Sequence, residues 1–130
     1  MHIQFITTGG TIDKIYFDAL SQFEVGDSQV KAMLTDALVD LSYEAVAIMK
    51  KDSLDITDGD RATIRAHIEA SENSHFIVTH GTDTMPETAA ALRGIENKTV
   101  VLTGALTTAR FRTTDAVFDI GMAVGALQTA

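Results

Sequence analysis

The chain has 130 residues, 45% of them apolar, with ten Lys and Arg against eighteen Asp and Glu and no cysteine. That length buries roughly two-thirds of the unfolded surface, so one domain over residues 1–130 is expected, and the apolar share argues against disorder. A formal net charge of −8 argues against nucleic acid and anionic membrane as partners, and the lack of cysteine removes disulfides and thiolate metal sites.

No apolar run approaches bilayer length, and a strand begins almost at the N-terminus, leaving no signal-peptide region; a cytoplasmic location is expected. The first strand is His2 to Thr8, ending in Thr7-Thr8-Gly9-Gly10-Thr11-Ile12-Asp13. The glycine pair lets the backbone turn tightly or approach a ligand closely. Lys14 to Glu24 shows no clear period and is expected to be a loop over that turn. A helix capped by Asp27 or Ser28 follows, with Val30, Met33, Leu34, Ala37, Leu38 and Leu41 on one face. Ala45-Val46-Ala47-Ile48-Met49 reads as a second, buried strand. It ends in the polar stretch Lys50-Lys51-Asp52-Ser53-Leu54-Asp55-Ile56.

Thr57 with Asp60 predicts a capping box and a helix to about Ser71 that buries Ile64 and Ile68. His75-Phe76-Ile77-Val78 is short, apolar and β-branched, as a buried strand should be. It runs into Thr79-His80-Gly81-Thr82-Asp83-Thr84-Met85 and then Pro86-Glu87-Thr88-Ala89-Ala90-Ala91-Leu92. Thr84 as N-cap, Glu87 three residues on and Pro86 in the first turn predict a helix start there, and Gly94 a stop. Thr99 to Thr103 is the fourth strand, and a last helix begins near Thr113 or Thr114. Val117, Ile120, Val124 and Leu127 share one side of it, while Gly121 and Gly125 permit close approach to the sheet or to another chain. The alternation of strand and helix predicts an α/β fold: a doubly wound, three-layer sandwich with a mostly parallel sheet of four or more strands. In such sheets ligands bind at the carboxyl ends of the strands.

Thr7-Thr8-Gly9-Gly10-Thr11-Ile12 and His80-Gly81-Thr82-Asp83-Thr84-Met85 with Glu87-Thr88-Ala89 resemble the two signature motifs of the bacterial-type L-asparaginase/glutaminase family. They stand in the right order, the right distance apart, and each follows a strand. The resemblance implies that Thr11 is the nucleophile that attacks a side-chain amide, that Thr82 orients or activates it or the water, and that Asp83 binds the substrate α-amino group. Asp52-Ser53 resembles the family's substrate-binding pair, with Ser53 donating to the α-carboxylate; Gly10 and Gly81 complete the implied substrate contacts. Gly104-Ala105 matches the family's Gly-Ala, whereas Thr107-Thr108 replaces its Arg-Pro.

Other departures bear on activity. The family's mobile-loop tyrosine aligns with Phe23 before Gly26, leaving Tyr16 as the nearby hydroxyl. The resemblance places the family lysine, and a C-terminal domain, beyond Ala130, so weak catalysis is expected unless Lys14 or a partner chain substitutes. Lys14 is otherwise a loop cation.

Each residue also has a plainer reading. Thr11 can be a turn threonine satisfying backbone groups, and Asp83 an Asx turn. His80 is either a neutral, hydrogen-bonded structural residue or a general base. His2, His67 and His75 lack ligand spacing, so no metal is expected, and Gly9-Gly10 lacks the dinucleotide fingerprint, so no cofactor is expected. The function implied is side-chain amide hydrolysis of L-asparagine or a related small molecule by a homodimer or higher oligomer. The alternatives are an amino-acid-binding or regulatory module and an oligomerising structural domain.

Overall fold

The structure is a computed structural model describing residues 2–9, 14–17, 22–25, 42–104 and 116–129. In chain order these form β1 (His2–Thr7), β2 (Lys14–Phe17), β3 (Gln22–Val25), β4 (Ser42–Ala47), a 3-10 turn (Ser53–Asp55), α1 (Asp58–Ala70), β5 (His75–Thr79), α2 (Met85–Ala91), β6 (Thr99–Thr103) and α3 (Ala116–Thr129). The sheet has the order β4-β1-β5-β6, and every neighbouring pair is parallel.

Alternation along the strands splits the core in two. Ile3, Phe5 and Ile77 pack with Ile120, Ala123 and Leu127 of α3. Ile6, Phe76 and Val78 lie on the opposite face with Ile64 and Ile68 of α1 and with Leu92. Residues two apart on a strand share a face, so β1 and β5 feed both layers, and their nearly continuous apolar runs follow from burial on both sides. The result is the expected doubly wound α/β sandwich.

α1 starts as its sequence predicts. Thr57 Oγ1 accepts from the Asp60 N–H (3.1 Å) and Asp60 Oδ2 accepts from the Thr57 N–H (2.9 Å), a complete capping box. Asp58 and Asp60 also place negative charge at the positive end of the helix. Ile64 and Ile68 are fully buried, each worth roughly 1.5–3 kcal/mol against exposure.

Several expectations are corrected. The segment expected to be a loop holds an antiparallel ribbon, β2 on β3, with Tyr16 opposite Phe23 in register. Each arm is only four residues long, too short for an alternation to stand out, and the pairing is supplied by the other arm. The second strand is Ser42–Ala47 and not a buried strand: its pattern is mainly exposed, because among the described residues it pairs with β1 alone, as an outer strand of the sheet. The Thr84–Glu87 capping box does not form, since the Thr84 hydroxyl donates to the Ser53 carbonyl (2.7 Å). α2 is capped at Leu92, and Gly94 lies two residues further on at φ +74°. Gly121 and Gly125 are exposed, and a Cβ added at either would meet nothing within 4 Å, so they do not approach the sheet. The helix expected over 30–41 and the start near Thr113 or Thr114 fall outside the described residues.

Thr57→Ala should lower stability by about 1 kcal/mol, read as a shift in the urea midpoint at constant slope. No shift would show that the box contributes nothing to α1.

Candidate functional site

The chain runs from β1 outward to β4, then back past β1 to β5. That reversal makes the carboxyl ends of β1 and β5 the topological switch point, the place where open α/β sheets bind ligands. Thr8, fully buried, ties the strand ends together. Its Oγ1 donates to the Thr79 carbonyl (2.7 Å), and its own carbonyl accepts from the Lys51 N–H (2.8 Å). Ile48 N–H donates to the Thr7 carbonyl (3.0 Å) and His80 N–H to the Thr103 carbonyl (2.9 Å), which extends the ladder past the strands. Gly9 follows with φ +100°, a left-handed conformation suited to glycine.

Three segments meet at this edge: Thr8-Gly9 after β1, Lys51-Asp52-Ser53 after β4 and His80-Gly81-Thr82-Asp83 after β5. Ser53 and Asp83 are in direct contact. The Asp83 N–H donates to Ser53 Oγ (3.1 Å), and that hydroxyl donates weakly to Asp83 Oδ2 (3.4 Å). Ser53 is buried, while Thr82 and Asp83 are exposed. The Asp83 carboxylate therefore presents its charge to solvent over a buried hydroxyl. Lys51 Nζ contacts Asp60 Oδ2 at 2.8 Å. That ammonium, with the Thr57 N–H, holds the Asp60 carboxyl below its usual range and fastens the Ser53 segment to α1.

Two glycines permit the crowding. A Cβ at Gly81 would lie 2.8 Å from the Ser53 side chain. One at Gly104 would lie 2.3 Å from the His80 carbonyl oxygen and 3.5 Å from Thr82 Cγ2. Gly104 thus brings the end of β6 against the same turn.

His80 is fully buried behind this edge. Its Nδ1 lies 2.6 Å from the Gly81 carbonyl oxygen and its Nε2 2.7 Å from Thr88 Oγ1, which also accepts from Arg61 Nε (3.0 Å). Burial, and then the Arg61 charge, push the His80 pKa below 6.5, against the Gly81 hydrogen bond and the Glu87 charge. With both ring nitrogens engaged inside the protein, the structure favours the neutral, hydrogen-bonded His80 over the general base.

Of the residues singled out from sequence, Ser53, Gly81, Thr82 and Asp83 come together here, and Asp52 is half-buried beside them as the cap of the 3-10 turn. Gly10, Thr11 and Ala105 to Thr108 lie outside the described residues, and Lys14, Tyr16 and Phe23 are placed on β2 and β3 as backbone. Sequence reasoning quoted Thr8 and Thr88 within the motifs but gave neither a role, and it did not single out Arg61. A signal existed for two of the three. Arg61 precedes Ile64 and Ile68 at i+3 and i+7, and Thr88 precedes Leu92 at i+4, so both fall on buried helix faces. Among the described residues no group of His, Cys, Asp or Glu could hold a metal ion, and no helix is long and apolar enough to cross a membrane.

The parallel sheet with helices on both faces, and with Ser53, Thr82 and Asp83 gathered at the carboxyl ends of its strands, defines a doubly wound α/β protein. The family profile "Asparaginase, N-terminal" matches residues 2–130, and the chain belongs to the asparaginase family. Solved structures agree. The thermostable L-asparaginase from Thermococcus kodakarensis superposes with TM-score 0.83 at 25% identity, over 99% of this chain and 41% of that one. L-asparaginase I from Vibrio cholerae gives 0.79 at 27%, over 99% and 40%. The probable cytoplasmic L-asparaginase from Campylobacter jejuni gives 0.72 at 28%, over 97% and 39%. The chain thus spans about two-fifths of the length of these structures. Among curated proteins none matches.

Two outcomes are expected. Gly104→Ala should destabilise by about 1–3 kcal/mol through overpacking and exceed Gly81→Ala, whose obstacle includes a movable side chain; thermal unfolding ranks the pair. His80 contributes stability that is intact above its unfolded pKa of 6.5 and is lost as pH falls through that value toward the folded one, because only the unfolded chain takes up the proton. His80→Asn should therefore flatten the drop in unfolding free energy between about pH 7 and pH 5.5, where carboxylates contribute less; an equal drop in both proteins would contradict it.

Proposed function

We propose that this chain provides the asparagine-side machinery of an amidohydrolase: Thr11 attacks the side-chain amide of L-asparagine or a related small amide. In this proposal Thr11 Oγ bonds to the amide carbon, its proton passes to the departing nitrogen, and the C–N bond breaks with release of ammonia. Water then hydrolyses the ester to aspartate and frees Thr11. Asp83 receives the α-ammonium, a charge-assisted contact. Thr82 orients the nucleophile or the water. Gly10, Asp52, Ser53 and Gly81 line the substrate side.

The observation that carries this reading is the direct contact of Ser53 with Asp83 at the β1/β5 switch point. Two segments thirty residues apart in sequence put a carboxylate and a hydroxyl at the ligand-binding end of the sheet. Thr8 and Gly9, which open the first motif, follow β1 at the same edge. The family membership supports asparaginase-like chemistry in particular. The Ser53 hydroxyl faces Asp83 in this structure, so a bound carboxylate would recruit it from that bond. Tyr16, on the rung opposite Phe23, is the hydroxyl proposed to replace the family tyrosine. Self-association is proposed through the outer side of α3, where Gly121, Met122 and Gly125 are exposed. A sedimentation mass of one chain at every concentration would count against it.

Ammonia release from asparagine and glutamine by the purified chain tests the main proposal. Ammonia release is expected to be abolished in Thr11→Ala and cut by about two to four orders of magnitude in Thr82→Ala, the typical worth of assistance to a nucleophile or water. Wild-type rates in Thr11→Ala would assign any activity to contamination. Calorimetry with aspartate separates the remaining reading, a binding module: Asp83→Ala should weaken binding by roughly 1.5–3 kcal/mol, and binding without ammonia release would favour the module.

A further inference from the structure

We propose that Arg61 and Thr88 are positioning residues: acting through His80, they hold the Gly81 carbonyl and with it the turn that presents Thr82 and Asp83. What the turn is positioned for rests on the proposed function; the relay itself does not.

The polarity of the chain of bonds is forced by its ends. The Gly81 carbonyl can only accept, so His80 Nδ1, 2.6 Å away, carries the proton. A neutral ring then leaves Nε2 as an acceptor, and Thr88 Oγ1, at 2.7 Å, donates to it. That hydroxyl has spent its one proton and must itself accept, which Arg61 Nε provides at 3.0 Å. Arg61 Nε–H to Thr88, Thr88 O–H to His80, and His80 Nδ1–H to Gly81 is the sole ordering that leaves no clash of donors with a neutral imidazole. Each link is buried: His80 and Thr88 are fully so, and Arg61 is 7% exposed.

Local structure does not account for Arg61. It is the fourth residue of α1, where a cation opposes the helix dipole. Its one ion pair among the described residues is to Asp58, whose side chain is fully exposed (Nη1 to Oδ1, 3.1 Å), and such pairs contribute little. The buried bond of the guanidinium is the one to Thr88. Geometry explains what that bond connects. α1 follows the Ser53 turn and α2 follows the Asp83 turn, so the relay joins the two arms of the site from behind, where solvent does not compete. The direct Ser53–Asp83 link lies at the exposed front.

The test uses the full chain labelled with nitrogen-15. His80 is expected to show a protonated Nδ1 and a bare Nε2. Thr88→Val keeps shape and removes the hydroxyl. It should raise hydrogen exchange at the Asp83 amide, which donates to Ser53, by about tenfold, equivalent to about 1.4 kcal/mol. Exchange at the Phe5 amide in β1 should stay unchanged, and Thr88→Ser should restore Asp83. Arg61→Lys, which keeps charge but lacks Nε, should reproduce the Asp83 effect if the valine variant does not fold. A proton on Nε2 in the wild type, or an equal rise at Phe5 and Asp83, overturns the relay. If the wild type binds no aspartate, the proposed function falls, and the exchange and tautomer results still decide this inference.

Discussion

A methyl group at position 104 would sit 2.3 Å from the His80 carbonyl, and one at position 81 would sit 2.8 Å from the Ser53 side chain. Those two clearances govern the carboxyl end of the sheet. Because no Cβ intervenes, the ends of β5 and β6 and the 3-10 turn after β4 close to van der Waals contact. The hydroxyl of Ser53 then reaches the backbone of Asp83, and the hydroxyl of Thr84 reaches the backbone of Ser53. Side chains at either position would separate the arms, and the short polar groups could not span the gap.

Thr8 provides the complementary tie. With one bond to β5 and one to the segment after β4, it sets the spacing of both neighbours around β1. The opposite end of the sheet is closed differently. There Glu44 accepts from Gln4 and Asn73 (both 3.0 Å), and His67 contacts Gln4 at 2.9 Å. The Gln4 bond first, then those of Asn73 and His2, hold the Glu44 carboxyl below its usual range, but the side chains at this end are longer and Glu44 itself is exposed. The carboxyl end is built from buried threonines, serine and glycine, and its bonds involve the backbone itself. That difference makes one end a close-packed platform and the other a more solvated rim.

The platform carries a division of labour along its depth. Charge is at the surface, with the Asp83 carboxylate in solvent. One layer in are neutral hydroxyls, Ser53 and Thr8. Behind them His80 is kept neutral by burial and by Arg61. A protonated His80 would add a second buried cation beside Arg61 behind the turn, which burial and the Arg61 charge both oppose.

What the sequence determined by itself are the features written into neighbours along the chain. The capping box at Thr57, the apolar runs of β5 and β6, the alternation that predicts a parallel doubly wound sheet and the grouping of Ser53, Thr82 and Asp83 after strands all depend on residues a few positions apart. Features that depend on partners far along the chain were settled by tertiary structure alone. Thr84 and Glu87 have the pattern of a capping box, yet the Ser53 carbonyl, 31 residues away, takes the Thr84 hydroxyl. The outer position of β4 reflects strand order, which no local pattern encodes. The pairing of β2 with β3 needs both arms at once. Arg61 and Thr88 show their burial in the helical period, but that one completes the other across 27 residues and orients His80 emerges only once α1 and α2 are packed on the same face of the sheet. A hydrogen bond is satisfied by whatever group the fold brings within about 3 Å, and for these residues that group was distant in sequence.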